Sequence, residues 1–73
     1  MALLEEQPRP LTAQQNRVAE LIALGLQSKE IARILEISIK TVDSHRMAIK
    51  ERLQIRNLAG IVRYAIRAGL IEP

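Results

Sequence analysis

The sequence predicts an all-α fold, a compact four-helix bundle containing a helix-turn-helix, and three observations carry that prediction. Apolar residues recur at three- and four-residue spacings in separate runs, a capping residue or a glycine borders the runs, and no stretch alternates apolar with polar residues as a half-buried strand would. Thr12-Ala13-Gln14-Gln15 fits a capping box, in which the Thr12 hydroxyl accepts from the amide of Gln15 and the Gln15 side chain reaches back. The first helix then runs over about 13–24, with Val18, Leu21 and Ile22 on one face, Ala19 and Ala23 beside them, and Gly25 able to take the left-handed conformation that ends it. A short second helix over about 28–35 buries Ile31, Ala32, Ile34 and Leu35. After Glu36-Ile37, Ser38 caps a third helix over about 39–53, where Val42, His45 or Arg46, Ile49 and Leu53 line one face. Gln54-Ile55-Arg56 interrupts the pattern. Asn57 is the cap of a fourth helix over about 57–68, defined by Leu58, Ile61, Val62, Ala65 and Ile66 and closed by Gly69. Residues 1–10 hold two prolines, two glutamates and no sustained periodicity, and read as a linker or tag remnant ahead of a domain over 11–73.

Composition excludes several classes of function. A chain of 73 residues is near the lower size at which one hydrophobic core holds a fold, and leaves little room for an enzyme's cleft. Without cysteine and with a single histidine it offers no disulfide and no zinc site, so neither catalysis nor a cofactor nor a small-molecule ligand is expected. A reducing, cytoplasmic setting is the natural expectation. The apolar runs are far too short to cross a bilayer, and the start MALLEEQPRP lacks the basic and apolar regions of a signal peptide. The net charge is +3, but it is concentrated: residues 40–67 carry Lys40, Arg46, Lys50, Arg52, Arg56, Arg63 and Arg67 against only Asp43 and Glu51. A local surplus of cations is what attraction to phosphate requires, because clustered cations release condensed counterions. A solvated helix face is the blander reading of the same charges.

The second and third helices form the informative pair. A short helix, a tight turn holding one apolar residue, Ile37, and a longer helix rich in polar and basic groups are the syntax of a helix-turn-helix. In such a unit the first helix braces on the phosphate backbone while the amino-terminal half of the second enters the major groove of double-stranded DNA. With Val42, Ile49 and Leu53 inward, helical spacing turns Lys40, Asp43, Ser44, Met47 and Lys50 outward.

The ordered positions Leu11-Thr12, Leu21-Ile22-Ala23, Gly25, Lys29-Glu30-Ile31-Ala32, Leu35, Ile37-Ser38, Lys40-Thr41-Val42, His45-Arg46, Ile49, Leu53 and Val62-Arg63-Tyr64-Ala65 closely resemble the LuxR-type helix-turn-helix family, NarL/FixJ branch. The resemblance runs from Leu11 to about Leu70 without a gap. It implies the output domain of a bacterial transcriptional regulator, four helices with the third in the major groove, and a fourth helix packing on its mate when two copies occupy adjacent half-sites. It also implies attachment to a receiver or sensing domain and contact with RNA polymerase in the full regulator. By position, the family's base contacts fall on Asp43, Ser44 and Met47. Its backbone contacts fall on Ser28, Lys29, Lys40, Thr41, His45, Arg46, Lys50 and Arg52, and Val62, Arg63 and Ile66 fall at the dimer interface.

Departures from the family pattern concern local stability more than the groove face. Gln14-Gln15 replaces a usual Arg-Glu, Gln27 stands at a typical serine cap so that Ser28 caps one residue later, and Glu36 holds a turn position often taken by glycine or asparagine. A left-handed Glu36 would cost roughly 1 kcal/mol. Asp43 stands where many relatives are basic. As an acceptor it suits a cytosine amino group, and the alternative is a salt bridge that merely orients Lys40, Arg46 or Lys50. His45 is either half-buried or a phosphate contact, and Met47 either a plain exposed side chain or a contact for a thymine methyl. Tyr64, the only aromatic, is expected against the core or the interface of the fourth helix, which argues against single-stranded nucleic acid. Gly60 costs helix propensity of about 1 kcal/mol relative to alanine but permits close helix approach, read here as support for dimerisation. Two rivals stand beside this reading: a sigma-type promoter-recognition domain, and a protein-interaction adaptor or anti-activator that does not bind DNA.

Overall fold

The computed structural model describes residues 11–73, so the linker or tag remnant read over 1–10 lies outside the described residues. Among the described residues there are four helices and no strand: α1 (Ala13–Ala23), α2 (Ser28–Leu35), α3 (Ile39–Leu53) and α4 (Leu58–Arg67). Each starts where a local side chain satisfies amides that have no partner inside the helix. At α1 both halves of the capping box form, Gln15 N–H donating to Thr12 Oγ1 at 3.1 Å and Thr12 N–H to Gln15 Oε1 at 3.0 Å. Glutamine thus performs the reciprocal bond that a glutamate would. Ser38 Oγ accepts from Thr41 N–H at 3.0 Å to start α3, and Asn57 Oδ1 accepts from Gly60 N–H at 3.1 Å to start α4. At α2 the sequence reading needs correction. Gln27, not Ser28, is the extended cap residue, its amide donating to the Glu30 carboxylate at 2.8 Å, and Ser28 is already helical.

The four helices end alike. Gly25, Glu36, Gln54 and Gly69 all have left-handed backbones, with φ of 98, 59, 56 and 78°. The apolar residue that follows each one, Leu26, Ile37, Ile55 or Leu70, donates its amide back to a carbonyl five residues earlier and packs against the core. This is the backbone logic of the Schellman motif: reversing the chain satisfies a carbonyl and delivers a hydrophobic side chain to the core. Two of the four reversals use non-glycine residues, each held at a cost of roughly 1–2 kcal/mol. Glycine at position 36 would remove that strain but adds roughly 0.5–1 kcal/mol of unfolded-state freedom. We therefore expect Glu36→Gly to stabilise the domain by up to about 1 kcal/mol, seen in thermal unfolding as a rise of up to about 4–8 °C; a lowered midpoint would show that the turn is not strained.

The core gathers Leu11, Val18, Ala19, Leu21, Ile22, Ile31, Ala32, Val42, Ile49 and Ile61, with Ala65 also buried. Helix α1 is the hub: α2, α3 and α4 all pack on it, and α2 also packs on α3. Ile34 does not face inward as its periodicity predicts but is exposed, as is Leu58. A two-turn helix buries a single stripe, which here is taken by Ile31 and Ala32 with Leu35 at its margin. Tyr64 packs at the edge of the core and its hydroxyl donates to Asn16 Oδ1, tying α4 to α1. Burial pushes its phenol above the ordinary tyrosine value, which keeps the donor protonated.

Gly60 also has a role different from the one its sequence context suggests. A Cβ there would lie 2.8 Å from Ile55 Cβ, so the close approach it permits is to the α3–α4 connection of its own chain. It therefore lends no support to dimerisation. Alanine would gain about 1 kcal/mol of helix propensity, but forcing a methyl against an immovable Cβ costs about 1–3 kcal/mol. Gly60→Ala is expected to be a net loss in urea denaturation, and a more stable variant would show that the connection yields freely.

Candidate nucleic-acid interface

The α2–turn–α3 unit is built by local chemistry. Left-handed Glu36 ends α2, Ile37 turns back to the core, and Ser38 restarts the chain as α3 within three residues. The packing of α2 on α3, with Ile31 and Val42 both fully buried, fixes the pair as one body. The opposite side of α3 is thereby left to solvent. Lys40, Asp43, Ser44 and Met47 are exposed on it, Met47 at 72% of its full accessible surface, while Lys50 is half-buried rather than fully outward. Positions 40, 43, 47 and 50 follow helical spacing, so they form one stripe of about 15 Å, set by the rise of 1.5 Å per residue.

The flanking residues fall into two groups. Ser28, Lys29 and Arg46 line one open groove beside the start of α2, which brings two cations to the first amides of a helix. Thr41 is exposed, but its hydroxyl is hydrogen-bonded to that of Ser38 at 2.8 Å and shares in the α3 cap. His45 is half-buried, as is Arg46; Arg52 is exposed near the end of α3. Asp43 makes none of the salt bridges offered as its alternative role. Ser28 Oγ donates to Asp43 Oδ1 at 2.8 Å instead, so the acid is engaged across the two helices rather than along its own. On α4, Arg63 is exposed and Val62 and Ile66 are half-buried, with Leu58 exposed at the start of the same helix.

Two features of this surface escaped the sequence. Gln54, the second strained reversal, carries no glycine or asparagine to mark it, although an apolar Ile55 after a polar break is the same signal that Gly25-Leu26 gives. The Ser28–Asp43 bond joins residues 15 apart, and no helical spacing can reveal it.

Comparison with known proteins agrees with this geometry. The model of the family described as bacterial regulatory proteins, luxR family, matches residues 9–65. The chain is 38% identical over 69 residues to the transcriptional regulatory protein MctR of Rhizobium johnstonii, covering 94% of this chain and 32% of that protein. It is 37% identical over 60 residues to the uncharacterized response regulatory protein YgeK of Escherichia coli, covering 82% and 41%. To the oxygen regulatory protein NreC of Staphylococcus carnosus it is 34% identical over 64 residues, covering 88% and 30%. The chain thus spans well under half the length of these relatives. No solved structure gives a significant match. A helix-turn-helix with a solvent-facing third helix, matched over most of its length by this family model, defines a DNA-binding transcription-regulation domain. The chain belongs to the luxR family of bacterial regulatory proteins, whose members are regulators and not enzymes, and the resemblance to its NarL/FixJ branch holds. Among the described residues no helix is long and apolar enough to cross a membrane.

Proposed function

We propose that residues 11–73 form the output domain of a cytoplasmic transcriptional regulator that binds paired half-sites in double-stranded DNA as a homodimer. The observation that supports it most is the outward stripe of α3, where exposed Ser44 and Met47 lie between Lys40 and Lys50 on the face left free by the α2–α3 packing. In this reading the amino-terminal half of α3 enters the major groove. Asp43, Ser44 and Met47 meet base edges, Met47 against a thymine methyl, while Lys40, Thr41, His45, Lys50 and Arg52 meet phosphates. The groove lined by Ser28, Lys29 and Arg46 receives a further phosphate at the first amides of α2. Val62, Arg63 and Ile66 of α4 meet the same residues of a second copy. In the complete regulator a sensing domain and RNA polymerase are the further partners.

Selection from a pool of random duplexes at near-physiological salt, followed by sequencing, tests this reading. Enrichment of a motif with two spaced half-sites is the expected result. Retention without enrichment that disappears as salt rises would reduce the stripe to a non-specific cation patch, or to a docking face for an acidic protein.

A further inference from the structure

Ser28 opens α2 and Asp43 lies on the exposed side of α3, and one hydrogen bond of 2.8 Å joins their side chains. A serine hydroxyl has one proton to donate, while a carboxylate has two oxygens and only accepts. The bond therefore commits the Ser28 hydroxyl to Asp43, so that only the backbone amide of residue 28 is left to donate to a phosphate. It also fixes the carboxylate through Oδ1 and leaves Oδ2 without a hydrogen bond among the described residues. Lys40 and Arg46 stand three residues to either side of Asp43, close enough on a helix to capture it as an ion pair. Neither does so. A carboxylate free to swing onto a neighbouring cation would present no constant face to DNA, whereas one held from a second helix does.

We propose that Ser28 is a specificity-positioning residue: its hydroxyl holds Asp43 so that the second carboxylate oxygen accepts from the N4 amino group of a cytosine in the major groove. The inference rests on the reading that α3 lies in that groove. Cytosine is the base that fits. Guanine and thymine present acceptor oxygens, which repel a carboxylate, and the adenine amino group lies beside the N7 acceptor. In the duplex the cytosine amino group has a ring C–H on one side and the O6 of its paired guanine on the other, whereas the adenine amino group lies between two acceptors, its own N7 and the O4 of the paired thymine. A carboxylate oxygen approaching from the C–H side therefore meets least repulsion at cytosine.

The test uses the whole chain and duplexes that carry the selected half-sites with each base pair varied in turn. Asp43→Ala locates the position that Asp43 reads, as the one where preference for cytosine collapses. Ser28→Ala is expected to reduce preference at that same position by about five- to tenfold, while binding to duplexes that already lack the cytosine changes little. Ser28→Thr, which keeps the hydroxyl, should retain the preference, and adding Ser28→Ala to Asp43→Ala should alter it no further. Unfolding curves of each variant ensure that folded protein is compared. Unchanged preference in Ser28→Ala, where Asp43→Ala abolishes it, would overturn the positioning role, as would an equal loss on every duplex, the mark of a plain phosphate contact. If Asp43→Ala itself leaves every preference intact, base reading by Asp43 falls first, and the role of Ser28 falls with it.

Discussion

Replacing Ile49 with alanine is expected to remove about half of the domain's stability, the largest loss of any single truncation on α3, while leaving enough for the chain to stay folded in the absence of denaturant. Ile49 is fully buried on the side of α3 opposite the outward stripe, in the same cluster as Val18, Ile22, Ile31, Val42 and Ile61. Truncating a buried isoleucine to alanine costs about 2–5 kcal/mol, the transfer term plus that of the cavity left behind. A domain of this size holds about 4–10 kcal/mol in all. Urea denaturation should show a lower midpoint with an unchanged slope, meaning lost stability and not a changed unfolded state. Ile49→Val, which removes one methylene, should lose only about 0.5–1.5 kcal/mol. A loss below 1 kcal/mol for alanine would mean that α3 is not seated through this residue, and the orientation of its outward stripe would then need another explanation.

The second large effect is on DNA. Lys50→Ala is expected to weaken binding on every duplex alike, because a lysine on a phosphate carries affinity without reading sequence. A hydrogen bond to a charged group contributes about 1.5–3 kcal/mol, so each bound copy should lose roughly tenfold or more in affinity. The slope of log affinity against log salt should flatten by about one for each copy bound. Lys50 is half-buried, so its stem also packs on the protein. Lys50→Met keeps the stem and should give the same loss. Full binding by the methionine variant, or a loss confined to particular duplexes, would remove Lys50 from the phosphate contacts.

What could be read from the sequence was what is local. Thr12 with Gln15, Ser38 and Asn57 announce helix starts because a cap bonds within three residues, and Gly25 and Gly69 announce ends because only glycine reverses a chain without strain. Gln54 was silent for the same reason: strain borne by an ordinary residue leaves no mark in composition. Periodicity placed Val42 and Ile49 inward but overcounted on α2, where Ile31, Ala32 and Leu35 make the stripe that meets the core and Ile34 is left on the solvent side of it. Gly60 was legible as a place of close approach, though not as to what approaches, since its neighbour Ile55 lies in a connection that spacing does not describe. The outward position of Met47 follows from helix geometry alone, whereas the partner of Asp43 depends on how α2 lies across α3, a tertiary fact. The assignment of individual residues to bases and phosphates came from family resemblance, and it is there that experiment has most to decide.

The central claim is that α3 lies in the major groove with Asp43, Ser44 and Met47 against the bases and Lys40 and Lys50 on the phosphates that flank them. It is tested most directly by recording amide and methyl NMR spectra of the chain while adding the duplex recovered from selection. The account predicts that the largest shifts fall on residues 38–50, the Met47 methyl above all, and on Ser28 and Lys29, with a separate set on Val62, Arg63 and Ile66 as a second copy binds. Shifts centred on α1 or the carboxy-terminal arginines, with Ser44 and Met47 unmoved, would contradict it.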